Sequence, residues 1–111
     1  MGQGLNDAIA DAQSRLYALR NGPQSHGQRV PAPNNLPAFP NATRATPKTP
    51  VQGGGGMRKR WKDPKSGEIY EWDSQHGKVE KYNKNGKHVG EFDPETGAQT
   101  KPRDPTRKVQ K

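Results

Sequence analysis

Apolar residues recur in two different rhythms along the chain, separated by a stretch that has neither. In residues 5–20, Leu5, Ala8, Ile9, Ala12, Leu16 and Leu19 fall near a 3.6-residue period, Asn6 and Asp7 suit the start, and Arg20 before Asn21-Gly22 suits the stop. The pattern predicts a short amphipathic helix in residues 1–20, one that needs a docking surface because an isolated helix of this length is marginal in water. From residue 57 the rhythm changes. Trp61, Tyr70, Trp72, Tyr82 and Phe92, five of the seven aromatics, lie among short β-prone runs at 68–72, 78–82 and 87–92. Asp63-Pro64-Lys65-Ser66-Gly67, Ser74-Gln75-His76-Gly77, Asn83-Lys84-Asn85-Gly86 and Asp93-Pro94-Glu95-Thr96-Gly97 punctuate these runs about every ten residues. Each ends in a Gly able to take a positive φ, and two carry Pro at the second turn position. The spacing predicts a mainly β domain: a small, highly twisted antiparallel meander with one face packed and the other wet. Because the strands between them do not match, the two similar DPxxG turns read as shared turn chemistry and not as a repeat.

Composition divides the chain into three. Residues 21–56 hold seven of the 11 prolines and six of the 13 glycines, and their only large apolar side chains are Val30, Leu36, Phe39 and Val51. So little burial is set against so much backbone entropy that this stretch is expected to be a disordered Pro/Gly-rich linker ending in a glycine hinge at 53–56. The reading is therefore a helix in 1–20, a flexible linker over 21–56 and a folded domain over 57–111, whose core must rest on aromatics because only 26% of the chain is hydrophobic. With no cysteine, disulfides, thiolate metal sites and Cys nucleophiles are excluded. No apolar run is long enough to span a bilayer, and residues 1–20 lack a signal peptide's apolar centre, so a soluble chain is expected.

Charge narrows the partners. The chain carries 19 Lys and Arg against 11 Asp and Glu, a formal +8, which points to a polyanion such as nucleic acid, an acidic protein or a membrane surface. In the third segment the bases gather at the two ends, Arg58-Lys59-Arg60 with Lys62 and Lys101 with Arg103, Arg107 and Lys108, while most acids lie between them. If the ends meet on one side of the sheet, they form a basic rim around an acidic centre.

The densest polar constellation runs from Glu71 to Glu80, with Asp73, His76 and Glu80 about one tight connection. Pairing of 69–73 with 78–82 would bring these side chains within reach of one another, and strand parity puts Tyr82 on the face of Glu80. Carboxylate, imidazole and carboxylate then supply a base and an acid for RNA cleavage by its own 2′-hydroxyl, with Arg107 or Lys101 as the fixed cation. Taken singly, each residue has an ordinary explanation: Asp73 as a turn initiator, His76 as a turn residue, Glu80 as a solvated strand residue, Tyr82 as core. His26 and His88 lack partners at ligand spacing and are not read as metal ligands. The patterns of a Walker loop, a zincin, a dinucleotide fingerprint and a nucleophile elbow are absent. On residues alone, a ribonuclease and a silent RNA- or ribosome-binding β module stand about equal.

The run IYEWDSQHG at 69–77, preceded by Gly53–Gly56 and Met-Arg-Lys-Arg-Trp at 57–61, resembles the C-terminal cytotoxic domain of the ribosome-inactivating E-type colicins. The similarity continues through Val79-Glu80, Gly86 to Gly90, Phe92-Asp93-Pro94, Thr96-Gly97, Lys101 and Asp104 to Arg107. It implies a toxin that cuts small-subunit (16S) ribosomal RNA at the decoding site, with no metal and no cofactor. It also implies the catalytic set Asp73, His76, Glu80 and Arg107. In that scheme Glu80 and His76 share the proton transfers, Asp73 supports, and Arg107 neutralises the phosphate, with Tyr82 and Lys101 lining the site. Arg58, Lys59, Arg60, Arg103 and Lys108 complete the expected RNA-binding set. The implied partners are ribosomal RNA in the intact ribosome and a tightly binding acidic immunity protein. The resemblance further implies a monomeric module of a larger bacteriocin, secreted by its producer and acting in the cytoplasm of the target bacterium. A toxin against transfer RNA keeps the chemistry and changes the target.

Overall fold

The computed structural model describes residues 29–111, so the helix expected within 1–20 lies outside the described residues. Six strands form one antiparallel sheet in chain order: β1 (Thr43–Ala45), β2 (Arg60–Lys62), β3 (Ile69–Asp73), β4 (Lys78–Tyr82), β5 (His88–Phe92) and β6 (Gln99–Lys101). The four predicted turns join β2 through β6, and they share one chemistry. The side-chain oxygens of Asp63, Asp73, Asn83 and Asp93 each accept the amide two residues on. Gly67, Gly77, Gly86 and Gly97 then close the turns at positive φ. At Gly86 a side chain is also excluded by contact, because a Cβ there would strike the carbonyl of Val109, which lies against this turn.

Alternation along the strands sorts the residues onto two faces. One carries Trp61, Tyr70, Trp72 and Val79, buried together with Leu36 and Ala42, with Val30, Ala32, Phe39 and Phe92 packed against them. This corrects the linker reading of residues 21–56 for the part the structure describes. Val30 donates its amide to Ser74 O and accepts Trp72 Nε1, Asn34 O accepts Trp61 Nε1, and Ala38 bonds to Pro94 O. Phe39 lies 4.8 Å from the Tyr70 ring, and β1 pairs with β2. Weighing the segment's own apolar side chains against its backbone entropy left out the aromatic sheet face it covers, and prolines have less conformational freedom to lose on folding. Gly53–Gly56, expected as a flexible hinge, form a loop closed by Val51 N to Gly56 O and Arg58 N to Thr49 O.

The opposite face is polar, yet its centre is buried. Registration puts Arg60, Glu71, Glu80, Glu91 and Lys101 in a single row across β2 to β6, each opposite the next. Two bulges shape this row. Tyr82 pairs with His88 and Lys81 with Gly90, leaving Val89 extra; Phe92 pairs with Gln99 and Glu91 with Lys101, leaving Thr100 extra. The first bulge turns His88 onto the face of Tyr82 and Glu80. The C-terminal tail then crosses this face, held by Val109 N to Gly86 O, His88 N to Arg107 O and Arg60 Nη1 to Gln110 O.

Candidate active site

Three carboxylates in register on adjacent strands repel one another, and each is offset by its own donors. Glu71 Oε2 accepts Arg60 Nη2 at 2.6 Å, Arg60 Nε at 3.1 Å and Thr49 Oγ1 at 2.6 Å. Both members of the Arg60–Glu71 pair are buried. Arg60 was expected on the RNA-binding rim; its guanidinium is instead enclosed in the fold, where it neutralises Glu71.

Glu80 lies at the centre of the row. Its Oε1 is 2.7 Å from His88 Nε2 and 3.5 Å from Arg107 Nη1. Because His88 Nδ1 accepts the Asp104 amide at 2.9 Å, the ring hydrogen sits on Nε2 and is donated to Glu80. Arg107 Nη2 donates to Tyr82 OH at 3.0 Å, and burial pushes the Tyr82 phenol up to about 12. Arg107 itself is raised: burial works against its charge, but Tyr82 and Glu80 outweigh it. The tail residue expected as the fixed cation is thus directed at Glu80 by the tail's bonding to the turn before β5 and to β5.

Asp73 and His76 occupy the turn between β3 and β4. Asp73 Oδ1 accepts the amides of Gln75 and His76, while Oδ2 lies 2.7 Å from His76 Nδ1. Burial opposes the Asp73 charge, but its bond with His76, the backbone amides and nearby Arg58 hold its carboxyl below the usual range. The bond with Asp73 raises the half-exposed His76, against some burial and the nearby Lys101 charge, with Glu91 adding to the rise. The second carboxylate near this imidazole is Glu91, whose Oε2 is 3.7 Å from Nδ1. Glu80 takes a hydrogen bond from His88 and its ion pair from Arg107.

Of the expected site, Asp73 joins His76 and Glu80 joins Arg107 and Tyr82, as two clusters on one face. Lys59, Lys101, Arg103 and Lys108 are exposed and Arg58 is half-buried. His88 was set aside as lacking partners at ligand spacing, and Glu91 was not singled out. Simple alternation sends His88 to the aromatic face, and only the bulge reverses it. Glu91 carried a weak signal, a charged residue in an otherwise β-prone run, two positions from Asp93.

A family model described as Cytotoxic matches residues 30–110. The chain belongs to the Cytotoxic family. Colicin E3 of Escherichia coli is 48% identical over 83 residues, 74% of this chain and 15% of that protein. Cloacin of Escherichia coli is 44% identical over 96 residues, 83% of this chain and 17% of its own length. Colicin-E6 of Escherichia coli is 43% identical over 113 residues, 95% of this chain and 20% of that protein. The chain therefore spans a fifth or less of the curated relatives it matches. The family match runs from residue 30, so it includes residues 30–56 of the stretch first read as linker, among them Val30, Ala32, Leu36 and Phe39 on the aromatic face. Among the described residues, no helix is long and apolar enough to cross a membrane.

Proposed function

We propose that this Cytotoxic-family chain is the nuclease module of a bacteriocin, and that it cleaves small-subunit (16S) ribosomal RNA at the decoding site without a metal cofactor. The observation that carries the reading is the pairing of a half-exposed His76 with Asp73 on the same sheet face as a buried Glu80 held by Arg107 and His88. Glu80 takes the proton of the 2′-hydroxyl, and the 2′-oxygen attacks phosphorus as the bond to the 5′-oxygen breaks. His76, whose protonated form Asp73 favours, gives its proton to the departing 5′-oxygen, leaving a 2′,3′-cyclic phosphate and a 5′-hydroxyl. Arg107 neutralises the crowded phosphate. Every proton moved has a side chain to take or give it, which is the support for metal independence.

The net charge of +8 suits both RNA and an acidic immunity protein that would protect the producing cell. Kinship with colicins and cloacin supports a module of a larger secreted toxin acting in the target cell's cytoplasm. The test is incubation of intact ribosomes with the chain in EDTA, followed by primer extension, beside Glu80→Ala and His76→Ala. A single break near the decoding site, lost in both variants, is expected. Absence of any break, or equal cleavage by the variants, would sink the reading, and a break only in added transfer RNA would reassign the target.

A further inference from the structure

Two carboxylates of the polar row, Glu71 and Glu91, each leave one buried oxygen without a hydrogen-bond donor, and only that of Glu91 lies beside another titratable cluster. Glu91 is 3% exposed; its Oε1 accepts Thr100 Oγ1 at 2.7 Å, whereas Oε2 has no hydrogen-bond donor. This unpartnered oxygen is aimed at His76 Nδ1, 3.7 Å away, and the same nitrogen lies 2.7 Å from Asp73 Oδ2. Asp73, His76 and Glu91 each offer a ligand atom, and these atoms all fall within 4.8 Å of one another. Ligand atoms about 2.0–2.2 Å from a tetrahedral zinc are roughly 3.3–3.5 Å apart, so the two observed spacings bracket what one shared ion would impose. Imidazole nitrogen and carboxylate oxygen are both zinc donors, and three protein ligands leave a fourth tetrahedral position to water. The half-exposed ring leaves an approach from solvent.

We propose that Asp73, His76 and Glu91 form a binding site for a divalent transition-metal cation of the zinc type, and that the bound ion inhibits the domain. The inhibitory part rests on the acid–base role given to His76 above; the binding part does not. An ion on Nδ1 displaces the hydrogen shared with Asp73 and confines the remaining ring hydrogen to Nε2, so the imidazole can no longer cycle between acid and base. Borderline ions are favoured over magnesium or calcium, because a nitrogen is among the donors and those ions prefer oxygen. Lys101 and Arg58 act on this cluster as positive charges and weaken the site without filling it.

Calorimetric titration of the full chain with zinc chloride, in buffer free of chelator and phosphate, should show saturable one-to-one binding. Glu91→Gln keeps the shape and should weaken it by at least about 10–100-fold, since loss of a mere outer-shell partner of a metal already costs that much. Proton–nitrogen spectra of the wild type, which need no variant, should show zinc moving the His76 ring signals in step with the heat. No saturable binding, binding unchanged in Glu91→Gln, or binding that leaves His76 unmoved would overturn the site. In the ribosome assay, zinc should stop cleavage and EDTA restore it; cleavage undiminished at saturating zinc would overturn the inhibition. A chain that binds zinc at His76 but never cuts ribosomes would uphold the site while removing the nuclease reading.

Discussion

Asp73 does with one carboxylate what two separate readings assigned to it. Oδ1 closes the turn through the amides of Gln75 and His76, while Oδ2 holds the His76 imidazole. A turn-forming aspartate and a supporting aspartate are the same residue because the turn itself brings the ring within reach. The linkage follows from the two shifts. His76 is raised, so its share of stability is full below the ordinary value of 6.5 and is lost as pH rises through the folded value. Asp73 is lowered, so its share is present above 3.8 and is lost as pH falls through its folded value. Both contributions coincide between those two ordinary values. Asp73→Asn retains a side-chain oxygen for the turn amides but removes the main cause of the His76 rise. Ring-proton titration should therefore place His76 lower than in wild type, and the stability lost by the variant should be greatest in the mildly acidic window. An unchanged His76 titration would mean that Asp73 does not control the ring. At this scale Asp73, His76 and Glu80 stood out by type and spacing and Arg107 through the resemblance, whereas His88 and Glu91 depended on partners reached only through pairing and a bulge.

Elements divide by how much local chemistry they contain. β3, β4 and β5 were expected almost to the residue because each pairs β-prone side chains with an Asx–Gly turn. β1, β2 and β6 are three residues long, with sequences TRA, RWK and QTK, too short and polar to announce themselves. Residues 30–45 owe their place to the face they cover. A linker residue can be trimmed without consequence, but Leu36 is 1% exposed among the sheet aromatics. Leu36→Ala should lower the free energy of unfolding by about 2–5 kcal/mol, read as a shift in the urea midpoint. A change near zero would restore the linker reading for this stretch. Lys81 adds a smaller reason for the covering segment to stay: its ammonium lies 5.4–5.7 Å from the ring centres of Phe39, Tyr70 and Phe92.

Over the described molecule, charge is ordered by the sheet. The row Arg60, Glu71, Glu80, Glu91 and Lys101 puts acids in the three central positions and a base at each end. The two ends have different duties. Without Arg60, Glu71 would be an uncompensated buried charge at a cost of about 3–5 kcal/mol, so this arginine belongs to the fold. Lys59, Lys101 and Arg103 are exposed and free to meet a polyanion. For binding to a single-stranded RNA, replacing Lys59 or Arg103 by Gln should each reduce the slope of log affinity against log salt by about 0.7. Fluorescence anisotropy across a salt series measures this, and unaltered slopes would show that neither residue meets phosphate.

By itself the sequence determined the local and additive features: where the chain turns, which short runs are strands, that aromatics form the core, how much positive charge there is, and which motif carries the family resemblance. These follow from residue type and spacing over a few positions. Tertiary structure decided what depends on residues far apart in the chain. It made a proline-rich stretch the cover of the aromatic face, since only the assembled sheet offers that surface. It also buried Arg60 against Glu71, turned His88 toward Glu80 through one extra residue in β5, and set Glu91 beside His76. Those outcomes rest on strand register and bulges, which no short stretch of letters contains.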